Sequence, residues 1–145
     1  MDTKINFSQI PYNYPICLNQ ECSKAATCLR RLAEQSMPTD VLHWPFISPK
    51  HLATNEGDCQ YYRPSTKVRY AKGFTQILEN LPHNQMQRVI SNLIVHFGRR
   101  AYYRFRKGEH LLSPSEQQTV LDIILVYCKG SQILDFDAYV DGFNW

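Results

Sequence analysis

The sequence predicts a mainly α-helical protein. An irregular, cysteine-containing N-terminal module, residues 1–66, packs on a C-terminal helical body, residues 67–145, within one domain. Three observations lead there. Apolar residues recur at spacings of three and four from Phe74 onward, the mark of amphipathic helices. Five of the eight prolines fall before residue 50, which favours turns and extended chain in the first part. Four of the five cysteines lie in that same part, at Cys17, Cys22, Cys28 and Cys59. At 145 residues, 43% hydrophobic, the chain buries roughly two-thirds of its unfolded surface, so folding as a whole does not depend on a metal or disulfides.

Element by element, residues 1–21 hold Pro11 and Pro15 among tyrosines and read as extended or turning chain. Ser23 is a candidate N-cap for "KAATCLRRLAEQ", a run of good helix formers that Pro38 ends. Residues 37–66, with Pro38, Pro45, Pro49, Gly57 and Pro64, read as an irregular segment anchored by Trp44 and Phe46 and tied back by Cys59. "KVRYAKG", Lys67 to Gly73, alternates as one short strand does.

Helices follow. "FTQILENL" places Phe74, Ile77, Leu78 and Leu81 on one face. After Pro82, a helix-start residue, Met86, Val89, Ile90, Leu93, Ile94 and Phe97 form a stripe that Gly98 stops or kinks. "RRAYYRFRK" is a short helix closed by Gly108. "SPSEQQTVLDIILVYCKG" has Ser113 as N-cap, Pro114 at the first turn and Glu116 completing a capping box. Its buried stripe is Val120, Leu121, Ile124, Leu125 and Cys128, with Gly130 as the stop. The tail places Phe136, Tyr139, Val140 and Phe143 at helical spacing, which predicts a terminal helix.

The cysteines follow the pattern C-x4-C-x5-C-x30-C. Four thiolates close a tetrahedral zinc site or hold an iron–sulfur cluster. The pattern lacks the C-x-x-C knuckle of common zinc ribbons and matches a plant-type cluster only in its first interval. Zinc is the leading expectation. Iron–sulfur, paired disulfides in an oxidising compartment and simple buried thiols are the alternatives. His43 or His51 is a candidate replacement for one cysteine, and Cys128, on an apolar stripe, is expected to be packing.

The net charge is +3, mildly basic, but it is unevenly spread. "GRRAYYRFRKGEH" sets five basic residues against Glu109, whereas 111–145 sets five acidic residues against Lys129. One reading pairs the two stretches across the fold. The other makes Arg99, Arg100, Arg104, Arg106 and Lys107, interleaved with Tyr103, a surface for RNA or single-stranded DNA. On a helix, Tyr102 and Phe105 would then face the core. Arg30 and Arg31, near the cysteines, either extend the basic surface or balance a thiolate-rich site.

No phosphate-binding glycine loop, G-x-S-x-G or H-E-x-x-H occurs, so an enzyme is the less favoured reading. There is no apolar leader and no run near the roughly 18 residues of a membrane span, so a cytoplasmic protein is expected. The order "CLNQECSKAATCLR", "CQYYRP" with "VRYAKGF", "GRRAYYRFRKGEHLLSPSEQ" and "FDAYVDGFNW" resembles a family of small Bacteroidetes proteins of unknown function. The resemblance implies a whole, single-domain bacterial protein and no particular activity. The function expected is a small metal-binding interaction protein whose partner is nucleic acid or another protein. An iron–sulfur or thiol redox protein and a metal-free interaction domain are the rivals.

Overall fold

The structure, a computed structural model, describes residues 4–54, 57–128 and 134–145. The chain divides into two compact units, Met1–Lys67 with Phe143–Trp145, and Val68–Gly142. Its elements are 3₁₀ turns at Phe7–Gln9 and Ala25–Thr27, helices α1 (Leu29–Gln35) and α2 (Pro49–Leu52), strand β1 (Lys67–Lys72), helices α3 (Thr75–Glu79), α4 (His83–Phe97), α5 (Arg99–Lys107) and α6 (Pro114–Tyr127), and strand β2 (Ala138–Phe143). The protein is mainly helical, as expected, with one two-stranded sheet of β1 and β2.

In the first unit, Ile5, Ile10, Tyr14, Ile16, Leu29, Ala33 and Phe143 form a small core, flanked by Trp44 and Trp145. Trp44 is the anchor of the irregular segment: its indole Nε1 donates to the Tyr14 carbonyl at 2.7 Å and its ring meets Phe7 edge-on. Phe46 is not a buried anchor, being 54% exposed. It contributes backbone instead, bridging to Ile16. Ser23 does not cap a helix. The helix starts six residues later with Cys28 as N-cap in extended conformation, because Cys28 is taken into an antiparallel bridge with Pro64. Leu29 N–H donates to Arg63 O at 2.7 Å and Ser65 N–H to Thr27 O at 2.9 Å. The backbone demand of the returning loop thus outweighs the helix propensity of "KAAT".

The second unit packs α3, α4, α5 and α6 around Phe74, Leu78, Val89, Leu93, Tyr102, Leu112, Val120 and Ile124, all fully buried. Pro82 stands at the N-cap of α4 rather than inside it, and Gly98 breaks α4 from α5 with φ 83°. Gly108 closes α5 in the left-handed region. The capping box of α6 forms as the sequence predicts: Glu116 N–H reaches Ser113 Oγ at 3.3 Å, and Ser113 N–H reaches Glu116 Oε2 at 2.7 Å. Leu125 does not join the buried stripe; it is 52% exposed. The Gly130 stop lies outside the described residues.

The tail is a strand, not a helix. The strand expected at 67–73 needs a partner for its backbone N–H and C=O groups, and β2 is that partner. Aromatic and β-branched residues suit a pleated surface, and Arg69 lies over the Tyr139 ring at 3.9 Å. A helix would have buried Val140, which is 43% exposed. Just before β2, Asp137 turns its carboxylate to the first turn of α3, accepting from Thr75 N–H at 3.0 Å and Gln76 N–H at 2.9 Å.

Candidate functional site

Four cysteines, three from the window 17–28 and the fourth from the later loop, line one cavity in the first unit: Cys17, Cys22, Cys28 and Cys59. All are free thiols, as is Cys128. Each of the four is set by its backbone. Cys17 N–H donates to Arg30 O at 3.1 Å, and the Cys17 carbonyl accepts from Arg31. The Cys22 carbonyl closes a turn with Ala25 N–H, and the Cys59 carbonyl does so with Tyr62 N–H. Cys28 is held at the start of α1 by the Pro64 bridge. The Lys24–Asp58 ion pair, at 2.8 Å, joins the residue before Cys59 to the Cys22–Cys28 window. That pairing raises the lysine pKa and lowers the Asp58 pKa, chiefly through the shared hydrogen bond.

The rest of the wall divides into apolar and cationic parts. Ile47, Leu52, Ala25, Tyr61 and Tyr62 give an apolar lining, and Lys24, Arg30 and Arg31 bring positive charge. Arg30 donates to the carbonyls of Tyr61 and Pro15 and lies over the Tyr14 ring at 4.6 Å. Arg31, only 8% exposed, is paired with Glu34. The two arginines are therefore engaged with backbone carbonyls, Tyr14 and Glu34 beside the cavity rather than extending a basic surface. Tyr61, Tyr62 and Leu52 were not singled out from sequence; the adjacency of "YY" to Cys59 was their only signal. Neither histidine lines the cavity. His51 bonds the Tyr61 hydroxyl at 2.9 Å, and His43 lines a separate groove beside Trp44.

The cavity is small, about 30 Å³. Among the described residues, no three His, Cys, Asp or Glu side chains are grouped as they would be around a metal ion. One buried side-chain polar atom in the described residues has no hydrogen-bond partner, the Tyr14 hydroxyl. Burial pushes the Tyr14 phenol up, Arg30 opposes this, and the charge of nearby Cys28 adds to it.

The basic stretch forms α5, with Tyr102 and Phe105 in the core. Arg99, Arg100, Tyr103, Arg104 and Lys107 are exposed. Arg106 is half-buried and donates to the Tyr102 hydroxyl at 3.3 Å. Pairing with the acidic stretch does not occur: among the described residues the ion pairs are Lys24–Asp58 and Arg31–Glu34. Beside the Gly98 break, Arg99, Arg100 and Arg104 line an open groove. Cys128 is core packing, its thiol 3.6 Å from Gln85 Oε1 and pushed up in pKa by burial. No helix among the described residues is long and apolar enough to cross a membrane.

Fold and site together define a small, mainly helical protein with a four-cysteine cavity. The chain belongs to a family of unknown function, DUF6078, whose model matches residues 1–145. No match was found among curated proteins or solved structures.

Proposed function

We propose that this chain is a small metal-binding interaction protein in which Cys17, Cys22, Cys28 and Cys59 together hold a structural metal centre. The observation that carries the reading is the convergence of these four cysteines, from two separate stretches of chain, on one cavity. Simple packing does not call for that, since packing thiols sit singly among apolar side chains, as Cys128 does. Bound thiolates would clamp the loop around Cys59 to the start of α1, reinforcing the backbone bonds already there. Arg30, the lining cation without an acidic partner among the described residues, suits a site whose four thiolates outweigh a divalent charge. The test is thiol counting on full-length protein purified without oxygen. Cys17, Cys22, Cys28 and Cys59 should resist a small thiol reagent until a strong chelator is added, while buried Cys128 stays slow throughout. Immediate reaction of those four thiols in the protein as purified, with no change on adding chelator, would refute the reading.

A second reading concerns α5. Arg99, Arg100, Arg104 and Lys107 are exposed and have no acidic partner among the described residues, and Tyr103 beside them offers an exposed ring. This supports binding of RNA or single-stranded DNA, with Arg106 contributing to packing rather than contact. Four phosphate contacts on a single strand give a salt slope of about −3, or a fall of roughly 50-fold between 50 and 200 mM salt. Replacing Arg99 and Arg104 by alanine should reduce the slope by about 1.4. Absent or salt-independent binding would remove the idea.

A further inference from the structure

Resting on the α5 reading above, we infer that its nucleic-acid surface continues past the end of the helix onto β1, with Lys72 as a further phosphate contact, and that its occupant is a single strand laid along the helix. The exposed side chains of α5 set the direction. Taking about 100° per residue, Arg99, Tyr103, Lys107, Arg100 and Arg104 fall in that angular order within one stripe about 140° wide. Tyr103 stands inside the stripe, between Arg99 and Lys107 in angle, and is 40% exposed. A ring flanked by cations suits a backbone whose phosphates meet the cations while an unpaired base lies on the ring. The helix has nine residues, about 13 Å of axis. At roughly 3.4 Å per nucleotide of a stacked strand, that length takes about four nucleotides.

The stripe does not stop at Lys107. Lys72, the last residue of β1, runs its side chain across Gly108: a Cβ at that glycine would stand 2.8 Å from Lys72 Cγ and 3.4 Å from Lys72 Cε. Gly108 has φ +79°, so the glycine that ends α5 also clears the path of the lysine. Lys72 is exposed and, like Lys107, makes no ion pair among the described residues, where the pairs are Lys24–Asp58 and Arg31–Glu34. Glu109, next along the chain, is therefore an ion-pair partner to neither.

An ordinary structural task for Lys72 would be to cap the last carbonyls of α5. Those of Arg104, Phe105 and Arg106 are already taken. Arg104 O accepts from Glu109 N–H at 2.9 Å and His110 N–H at 3.2 Å, and Phe105 O from Gly108 N–H at 3.1 Å. Arg106 O accepts from Phe74 N–H at 3.4 Å and from the Thr75 hydroxyl at 3.2 Å. The Lys72 ammonium is thus left for an anion from outside, at the point where the α5 stripe ends.

The test uses the full chain and fluorescein-labelled oligouridylates of two to ten nucleotides, with binding read by anisotropy between 50 and 200 mM salt. A fifth phosphate contact takes the salt slope to about −3.5, a fall of roughly 130-fold over that range, in place of roughly 50-fold for four contacts. Lys72→Gln, which keeps most of the stem and removes the charge, should reduce the slope by about 0.7. Lys50→Gln, at an exposed lysine of α2, should leave it unchanged. Affinity should climb with length to about five nucleotides and then level. Tyr103→Ala should weaken binding about fivefold or more. In wild-type protein, acetylation of Lys72 by an amine-reactive ester should slow when oligouridylate is bound, while Lys50 labels at the same rate; this measurement needs no variant to fold. A slope unchanged in Lys72→Gln but lowered by the Arg99 and Arg104 replacements would overturn this inference and leave the α5 reading standing. So would acetylation of Lys72 that bound oligouridylate does not slow. Equal affinity for a duplex of the same length would overturn the single-strand assignment. No salt-dependent binding of any oligonucleotide would overturn both.

Discussion

Replacing Asp137 by alanine tests the link between the tail and α3. The Asp137 carboxylate accepts from two backbone donors, Thr75 N–H at 3.0 Å and Gln76 N–H at 2.9 Å. Helix α3 has five residues, too short to persist without its cap and its packing. Loss of an N-cap acceptor costs about 0.5–2 kcal/mol. The negative charge at a helix start adds about 0.3–1 kcal/mol, at the low end here because Asp137 is exposed. Together these give about 1–2 kcal/mol for Asp137→Ala. With an unfolding entropy of about 2.1 cal/mol/K per residue over the chain, that corresponds to a Tm lower by roughly 3–6 °C. Asp137→Asn keeps one oxygen acceptor but turns an N–H₂ toward the other donor, so it should retain less than half of the stabilisation. The assay is urea unfolding, paired with amide exchange at Thr75 and Gln76. Loss below about 0.3 kcal/mol in both variants, with exchange at the two amides unchanged, would refute the cap.

Three further outcomes follow from the same geometry. Gly73→Ala should destabilise by more than the ~1 kcal/mol typical of a glycine change, because φ is +79° and the new Cβ would stand 2.6 Å from Asp137 Oδ2; wild-type stability in urea would contradict this. Tyr14→Phe should be neutral or stabilising by up to about 1 kcal/mol in metal-free protein, since the buried hydroxyl has no partner to lose; destabilisation beyond 1 kcal/mol would refute it. Burial raises the Cys128 pKa above the ordinary range of a thiol. Only the thiolate alkylates, so Cys128 should be the slowest of the five thiols in metal-free folded protein at pH 8, its rate rising about tenfold per pH unit. By linkage, the folded state keeps this proton where the unfolded state has lost it, so stability should fall as pH rises above about 9. Mass-spectrometric mapping of alkylated peptides reads the labelling order, and first-rank labelling of Cys128 would contradict it.

The legible parts of the sequence were those governed by local rules. The capping box at Ser113 and Glu116, the stop at Gly108, the break at Gly98 and the stripe of α4 each depend on residues within a turn or two of one another. What was not legible depended on distant partners. Cys28 became an N-cap because Pro64, thirty-six residues away, bridges to it. The tail became β2 because β1 supplies a partner some seventy residues upstream, and Phe136, Tyr139, Val140 and Phe143 satisfy a helical spacing as readily as they populate a strand. The site divides in the same way. Cysteine count and the proximity of Arg30 and Arg31 were readable along the chain, but the convergence of the four cysteines on one cavity exists only in three dimensions. So does the engagement of Arg106 with Tyr102, which removes one residue from the basic surface.

X-ray absorption at the metal edge of protein purified without oxygen tests the central claim most directly. The account predicts bound metal whose edge shows a first shell made only of sulfur at about 2.3 Å. Nitrogen or oxygen donors in place of sulfur, or no bound metal, would contradict the claim that Cys17, Cys22, Cys28 and Cys59 bind one group together.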